Sequence, residues 1–79
     1  MNQYHNKELF ALEMANSLND PEAYSLFLAF ARQYPEEQLR RLLAKALEMP
    51  AHLIRKNRAA LFVSLVKNYA KTSSVYHRF

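Results

Sequence analysis

Cysteine and glycine, on which many small proteins depend, are both absent from this chain of 79 residues. Without cysteine the chain forms no disulfide, and it has no thiolate to hold a metal or attack a substrate. Without glycine there is no phosphate-binding loop of the G-x-G-x-x-G or Walker kind, and no Asn-Gly or Asp-Gly hairpin turn. These absences favour an all-α domain, and a binding module over an enzyme.

The residues that are present suit one small folded domain. Hydrophobic residues make up 51% of the chain and aromatic residues 13%, which is too apolar for a disordered segment. The length allows a single domain at most. We predict one helical domain over residues 1–71, followed by an irregular tail over residues 72–79.

Charge is distributed unevenly along the chain. Residues 1–48 hold all seven acidic residues and five basic ones, a net charge of −2. Residues 49–79 hold six basic residues and no acidic one, a net charge of +6, so the formal total is +4. A basic region without acids indicates an anionic partner, although a solvated helix face would have the same composition.

Nothing in the sequence indicates export or membrane insertion. The first eight residues lack the apolar core of a secretory signal. The longest purely apolar run, Leu26 to Ala31, is far shorter than the roughly 20 residues that span a bilayer. We therefore expect a cytoplasmic protein with no membrane partner.

Three prolines divide the chain into helices. Asp20, Pro21 and Glu22 predict a helix start, with Asp20 as the N-cap and Glu22 complementing the dipole. Pro35 repeats the pattern, whereas Pro50 has no capping side chain before it. The sequence thus predicts a compact four-helix domain, with helices over about 6–17, 21–33, 35–47 and 50–70.

Apolar spacing predicts which side of each helix is buried. The second predicted helix is apolar almost all round between Tyr24 and Ala31, which indicates a central buried helix. We expect its aromatic residues to pack in the core and not to stack on bases. In the third helix, Glu36 and Glu37 should pair with Arg40 and Arg41 at i,i+4 spacing. The predicted apolar sets of the first and third helices are Leu9, Phe10, Leu12, Met14, Ala15 and Leu18, and Leu39, Leu42, Leu43, Ala46 and Leu47.

Residues 43–58 combine residue types that suit two helices crossing at about 90–120° through a tight turn. Ala44 is the small residue at the crossing, and Leu47 is the apolar residue that packs inward. Glu48 lies in the turn, and Met49 is the apolar residue that packs beneath it. Pro50 opens the second helix, and Ile54 is the β-branched residue that faces the first. This stretch resembles a helix-turn-helix DNA-binding motif, but Glu48 departs from the usual glycine. The alternative is two successive bundle helices joined by a Met-Pro turn.

The resemblance implies that the second helix enters the major groove of DNA by its N-terminal end. Arg55 or Lys56 would then read guanine edges or neutralise phosphates. The complete predicted nucleic-acid site is Arg40, Arg41, Ala51, His52, Arg55, Lys56 and Arg58. We therefore expect a small protein that binds nucleic acid, duplex DNA above all, in transcription or in plasmid- or phage-type replication or transfer.

A second hypothesis is a helical protein–protein interaction module or a subunit of a larger assembly. It depends on the hydrophobic second helix and on apolar residues near the C-terminus, with Val75, Tyr76 and Phe79 as the partner-binding residues. A homodimer that binds DNA would satisfy both hypotheses.

Catalytic and metal-binding patterns are missing. The three histidines have no H-x-x-x-H spacing, which argues against a metal site. The serines lack a nearby histidine and acid that would make one of them a nucleophile. We expect neither an enzyme nor a bound cofactor.

Overall fold

The computed structural model describes the backbone of residues 3–77 and the side chains of residues 6–72. Within this part, the chain forms four α-helices and no strand, which confirms the all-α four-helix prediction. Short 3₁₀ helices at Pro21–Ala23 and Ala51–Leu53 precede the second and fourth α-helices. The α-helices are α1 (Gln3–Ser17), α2 (Tyr24–Gln33), α3 (Glu36–Glu48) and α4 (Arg58–His77).

An asparagine ends α1 where a glycine is common. Asn19 has a φ of 56°, in the left-handed region, which asparagine tolerates better than most residues. Its N–H donates to the Asn16 carbonyl at 3.1 Å, and the Asp20 N–H donates to the Ala15 carbonyl at 2.8 Å. This is the bonding pattern of a Schellman motif, so the chain reverses direction without glycine.

The predicted N-cap role of Asp20 is wrong. Its side chain makes no capping hydrogen bond. Its backbone carbonyl instead accepts the Ala23 N–H at 3.1 Å and so forms the first 3₁₀ helix. As a result α2 begins at Tyr24 and not at Pro21.

Helix α1 packs chiefly against α2, and α3 packs chiefly against α4. The core between them contains five fully buried large side chains: Met14, Phe27, Leu39, Phe62 and Val66. The ring centroids of Phe27 and Phe62 lie 5.5 Å apart, edge to face, and link α2 to α4. Phe30, Tyr34 and Tyr69 continue the aromatic contacts from α2 along α4. The prediction that the α2 aromatics pack in the core is therefore confirmed.

Burial is one-sided on each helix, which corrects several predictions. Helix α2 is not buried all round, because Leu26 is 43% exposed. Leu9 and Leu12 of α1 and Leu47 of α3 are also exposed. Each of these residues lies on a flank of its helix that is open to solvent among the described side chains, so the predicted apolar sets were too wide.

The predicted start of the fourth helix at Pro50 is wrong, because α4 begins at Arg58. The Asn57 Oδ1 accepts the Ala60 N–H at 2.7 Å, and the Asn57 carbonyl accepts the Leu61 N–H at 3.1 Å. Asn57 is thus a side-chain N-cap. Pro50 opens only the second 3₁₀ helix, which ends where Ile54 becomes extended.

The predicted irregular tail is wrong as far as His77, since α4 continues to that residue. The Thr72 hydroxyl donates to the Asn68 carbonyl at 3.0 Å, four residues earlier. A threonine hydroxyl bonded to the carbonyl four residues earlier can be accommodated within a helix. Of the predicted partner-binding residues, Phe79 and the side chains of Val75 and Tyr76 lie outside the described residues.

Candidate nucleic-acid interface

Arg58 ties the start of α4 to the end of α3. Its Nη1 donates to the carbonyls of Ala46 at 2.9 Å, Leu47 at 3.2 Å and Met49 at 2.6 Å. Carbonyls at a helix C-terminus have no partner inside the helix, and a cation there also complements the dipole. Arg58 is part of the predicted nucleic-acid site, but its guanidinium is used inside the fold.

Arg40 is held by acidic residues of α1 and α3. Its guanidinium contacts both carboxylate oxygens of Glu13, at 2.9 and 3.2 Å, and Glu36 at 2.8 Å. It also lies 4.5 Å from the ring centroid of Phe10. The hydrogen bond to Glu13, and then that to Glu36, raise the pKa of Arg40 above its already high ordinary value. The predicted Glu36–Arg40 pair is confirmed, and this arginine is not free to contact phosphate.

Arg41 is exposed, but it lies on the outward face of α3 among acidic residues. Glu37 precedes it by four residues and Glu48 follows it by seven, so all three share one face of the helix. Among the described side chains, Arg41 and Glu37 form no salt bridge within 4 Å. Arg41 therefore lies in a mixed-charge surface and not in a basic one.

Arg55 and Lys56 differ from these arginines. Both are exposed, and neither forms a hydrogen bond or salt bridge with the part of the chain that the structure describes. They lie in the α3–α4 connection (residues 49–57) and line an open groove of about 530 Å³. The other residues that line the groove are Leu53, Ile54, Asn57, Ala60, Leu61 and Ser64.

The basic surface continues along α4. Ser64, Lys67 and Lys71 are exposed and follow Ala60 at helical spacing, so they share its face. We call Arg55, Lys56, Lys67 and Lys71 the cationic strip. Lys67 and Lys71 were missing from the predicted site, although their i,i+4 spacing in an acid-free region signalled a common basic face.

Ala51 and His52 are exposed in the second 3₁₀ helix, and not on an α-helix. A helix-turn-helix in the register of the resemblance would have its second helix begin at Pro50, eight residues before α4 begins. Ala44, placed by the resemblance at the helix crossing, is exposed. Ala51, His52, Arg55 and Lys56, which the resemblance places at the N-terminal end of a recognition helix, therefore all lie on the connection that precedes α4.

No family model, curated protein sequence or solved structure matched this chain. The described residues contain no group of three histidine, aspartate or glutamate side chains placed to hold a metal ion. Among the helices described, none combines the length and the hydropathy needed to cross a bilayer.

Proposed function

We propose that the protein is a small nucleic-acid-binding protein that contacts duplex DNA through the cationic strip. Its biological setting would be transcription, or plasmid- or phage-type replication or transfer. The observation that carries the proposal is that Arg55 and Lys56 are exposed and unpaired among the described residues, in a region of sequence with no acid.

The electrostatics of this region favour an anion. Arg55 and Lys56 precede the first turn of α4, where the helix dipole already places partial positive charge. The two side chains also repel each other and Arg58, and no carboxylate of residues 49–79 can offset this repulsion. A phosphate would relieve it, and bound phosphate would release condensed counterions from the DNA.

The dimensions of α4 suit contact along a DNA backbone. From Arg58 to Lys71 the helix rises about 20 Å, at 1.5 Å per residue. At about 3.4 Å per base pair along the duplex axis, this length corresponds to roughly six base pairs, and the helix can contact the phosphates on the side of the duplex that it faces. Phosphate contacts orient a protein on DNA without reading its sequence, so we expect affinity to depend more on salt than on sequence.

The test measures fluorescence anisotropy of a labelled random-sequence duplex over a series of salt concentrations. Arg55→Ala should lower the magnitude of the slope of log affinity against log salt by about one, and Arg55→Ala with Lys56→Ala by about two. The matched control is Arg32→Ala, which removes the same charge from the last turn of α2, at a residue that is not part of the strip. It should leave the slope nearly unchanged.

Two results would contradict the proposal. Unchanged duplex affinity in the Arg55→Ala, Lys56→Ala variant would exclude the strip as the binding surface. Equal weakening by Arg55→Ala and Arg32→Ala would show that only net charge matters. The same titration with a single-stranded oligonucleotide decides which form of nucleic acid is preferred.

A further inference from the structure

The groove beside Arg55 and Lys56 is more apolar than phosphate binding requires. We propose that it binds an acidic amphipathic segment of a protein partner, whose apolar side chains enter the groove while its carboxylates pair with Arg55 and Lys56. The strip and the groove share these two cations, but the apolar lining has no role in the proposed binding of DNA.

The lining supplies aliphatic surface that the fold leaves uncovered. Leu53 is 59% exposed, and Ile54, Ala60 and Leu61 are only partly buried. At about 530 Å³ the groove is large enough for several side chains. It is open to solvent and not an enclosed cavity, which suits a segment of polypeptide better than a small compact ligand.

Hydrogen bonds fix both walls of the groove. On the connection, the Leu53 N–H donates to the Pro50 carbonyl at 2.9 Å and the Ile54 N–H donates to the Ala51 carbonyl at 3.1 Å. The Asn57 cap fixes the first turn of α4. A groove formed before binding loses little conformational entropy when a partner enters, and this raises affinity.

The positive charge of the groove determines which kind of peptide segment it can bind. Arg55 and Lys56 line the groove, and residues 49–79 contain no acid to neutralise them. An apolar segment carrying carboxylates is therefore complementary in both respects, and a basic segment would be repelled. The lining includes no aromatic side chain on which a nucleobase could stack.

A second copy of the chain is a poorer match to the groove. The exposed leucines of residues 1–48 are Leu9, Leu12, Leu26 and Leu47, and of these only Leu9 and Leu12 lie on the same helix. The neighbouring carboxylate of Glu13 is already bonded to Arg40. Glu8 is exposed and has no salt bridge among the described residues. That face of α1 therefore offers two leucines and one free carboxylate, fewer than a segment with leucine and glutamate on several successive turns.

The experiment uses a labelled 16-residue probe peptide with leucine at positions i, i+3, i+4 and i+7 and mainly glutamate elsewhere. Its controls are a scrambled peptide and one with lysine in place of glutamate. The protein should bind the probe at least tenfold more tightly than either control. Leu53→Asn, and independently Ser64→Gln, which narrows the groove at an exposed position, should each weaken probe binding about fivefold or more.

The same variants separate this proposal from the proposed function. Leu53→Asn and Ser64→Gln should leave duplex affinity unchanged, whereas Arg55→Ala with Lys56→Ala should weaken both peptide and duplex binding. If the protein bound the peptide but showed no affinity for duplex DNA, only the proposed function would be overturned.

Three outcomes would overturn the groove proposal. The first is equal binding of probe and scrambled peptides, or binding that neither groove variant changes. The second is weakened duplex binding in Leu53→Asn, which would make the groove part of the nucleic-acid site. The third is concentration-dependent self-association in sedimentation velocity that Leu53→Asn abolishes, which would make a second copy the occupant.

Discussion

The acidic and the basic regions of this protein use their arginines differently. In residues 1–48, Arg40 lies within hydrogen-bond distance of two carboxylates, so its charge is used to join α1 and α3. After residue 48 there are no carboxylates. There Arg58 bonds to backbone carbonyls, and Arg55 has no partner among the described residues. Whether an arginine stabilises the fold or is free for a ligand depends on the acceptors within its reach, and not on residue type.

The largest expected effect belongs to Arg58→Ala. The change removes a guanidinium that donates to three carbonyls at the end of α3. Hydrogen bonds to charged groups contribute about 1.5–3 kcal/mol, so we expect a loss of about 2 kcal/mol in the free energy of unfolding. Urea denaturation followed by circular dichroism measures this loss.

Arg58→Lys is the matched control, because it keeps the charge without the planar guanidinium. Arg58→Lys should recover only part of the free energy of unfolding that Arg58→Ala loses. Neither variant should reduce the salt slope of duplex binding as Arg55→Ala does. Suppose instead that Arg58→Ala were as stable as the original chain, and that its slope of log duplex affinity against log salt were smaller in magnitude by about one. Arg58 would then belong with the ligand-binding cations.

These two roles explain why the sequence predicted the site only in part. Arg55, Lys56 and Arg58 form one basic cluster in the sequence. Only the structure shows that Arg58 reaches back to Ala46, twelve residues earlier. The partnership of Arg40 with Glu36 was predictable from i,i+4 spacing, whereas its contact with Glu13, 27 residues away, depends on how α1 packs against α3.

The fold was predictable in class and in number of helices, and less so at helix boundaries. Pro50 suggested a helix start, but the Asn57 side chain is the cap that forms, and the chain between them takes a 3₁₀ helix instead. The reversal after α1 was also missed, since Asn19 takes the left-handed conformation expected of glycine. In both places, an asparagine had a local role that apolar periodicity does not reveal.

A smaller effect is expected from Arg40→Ala. The Arg40, Glu13 and Glu36 side chains are each about half exposed, so solvent screens the ion pairs. We expect a loss of about 0.5–1 kcal/mol in the free energy of unfolding, which high salt reduces. A double-mutant cycle with Glu13→Gln measures the coupling, and additive effects of the two changes would show that the contact contributes nothing.

The contribution of the Arg40–Glu13 pair to the free energy of unfolding should not vary with pH near neutrality. Folding raises the pKa of Arg40, so its stabilising effect is fully present below the ordinary arginine pKa and is lost only as pH rises beyond it. The coupling energy from the cycle should therefore be the same at about pH 6 and pH 9. A coupling that falls between those values would contradict the assignment to a charged guanidinium.

The smallest effect on stability, and one of opposite sign, is expected when the free cations are removed. Arg55→Ala with Lys56→Ala deletes two charges that bond to nothing in the described chain and lie near the positive end of the α4 dipole. The free energy of unfolding should rise by up to about 0.5 kcal/mol at low salt, and the gain should vanish at high salt.

Arg32→Ala provides the contrast, because Arg32 lies in the last turn of α2, where a cation is favourable, and its loss should slightly destabilise the protein. If the double variant were instead destabilised by more than about 1 kcal/mol, Arg55 and Lys56 would have structural roles like those of Arg40 and Arg58, and the contrast between the two regions would fail.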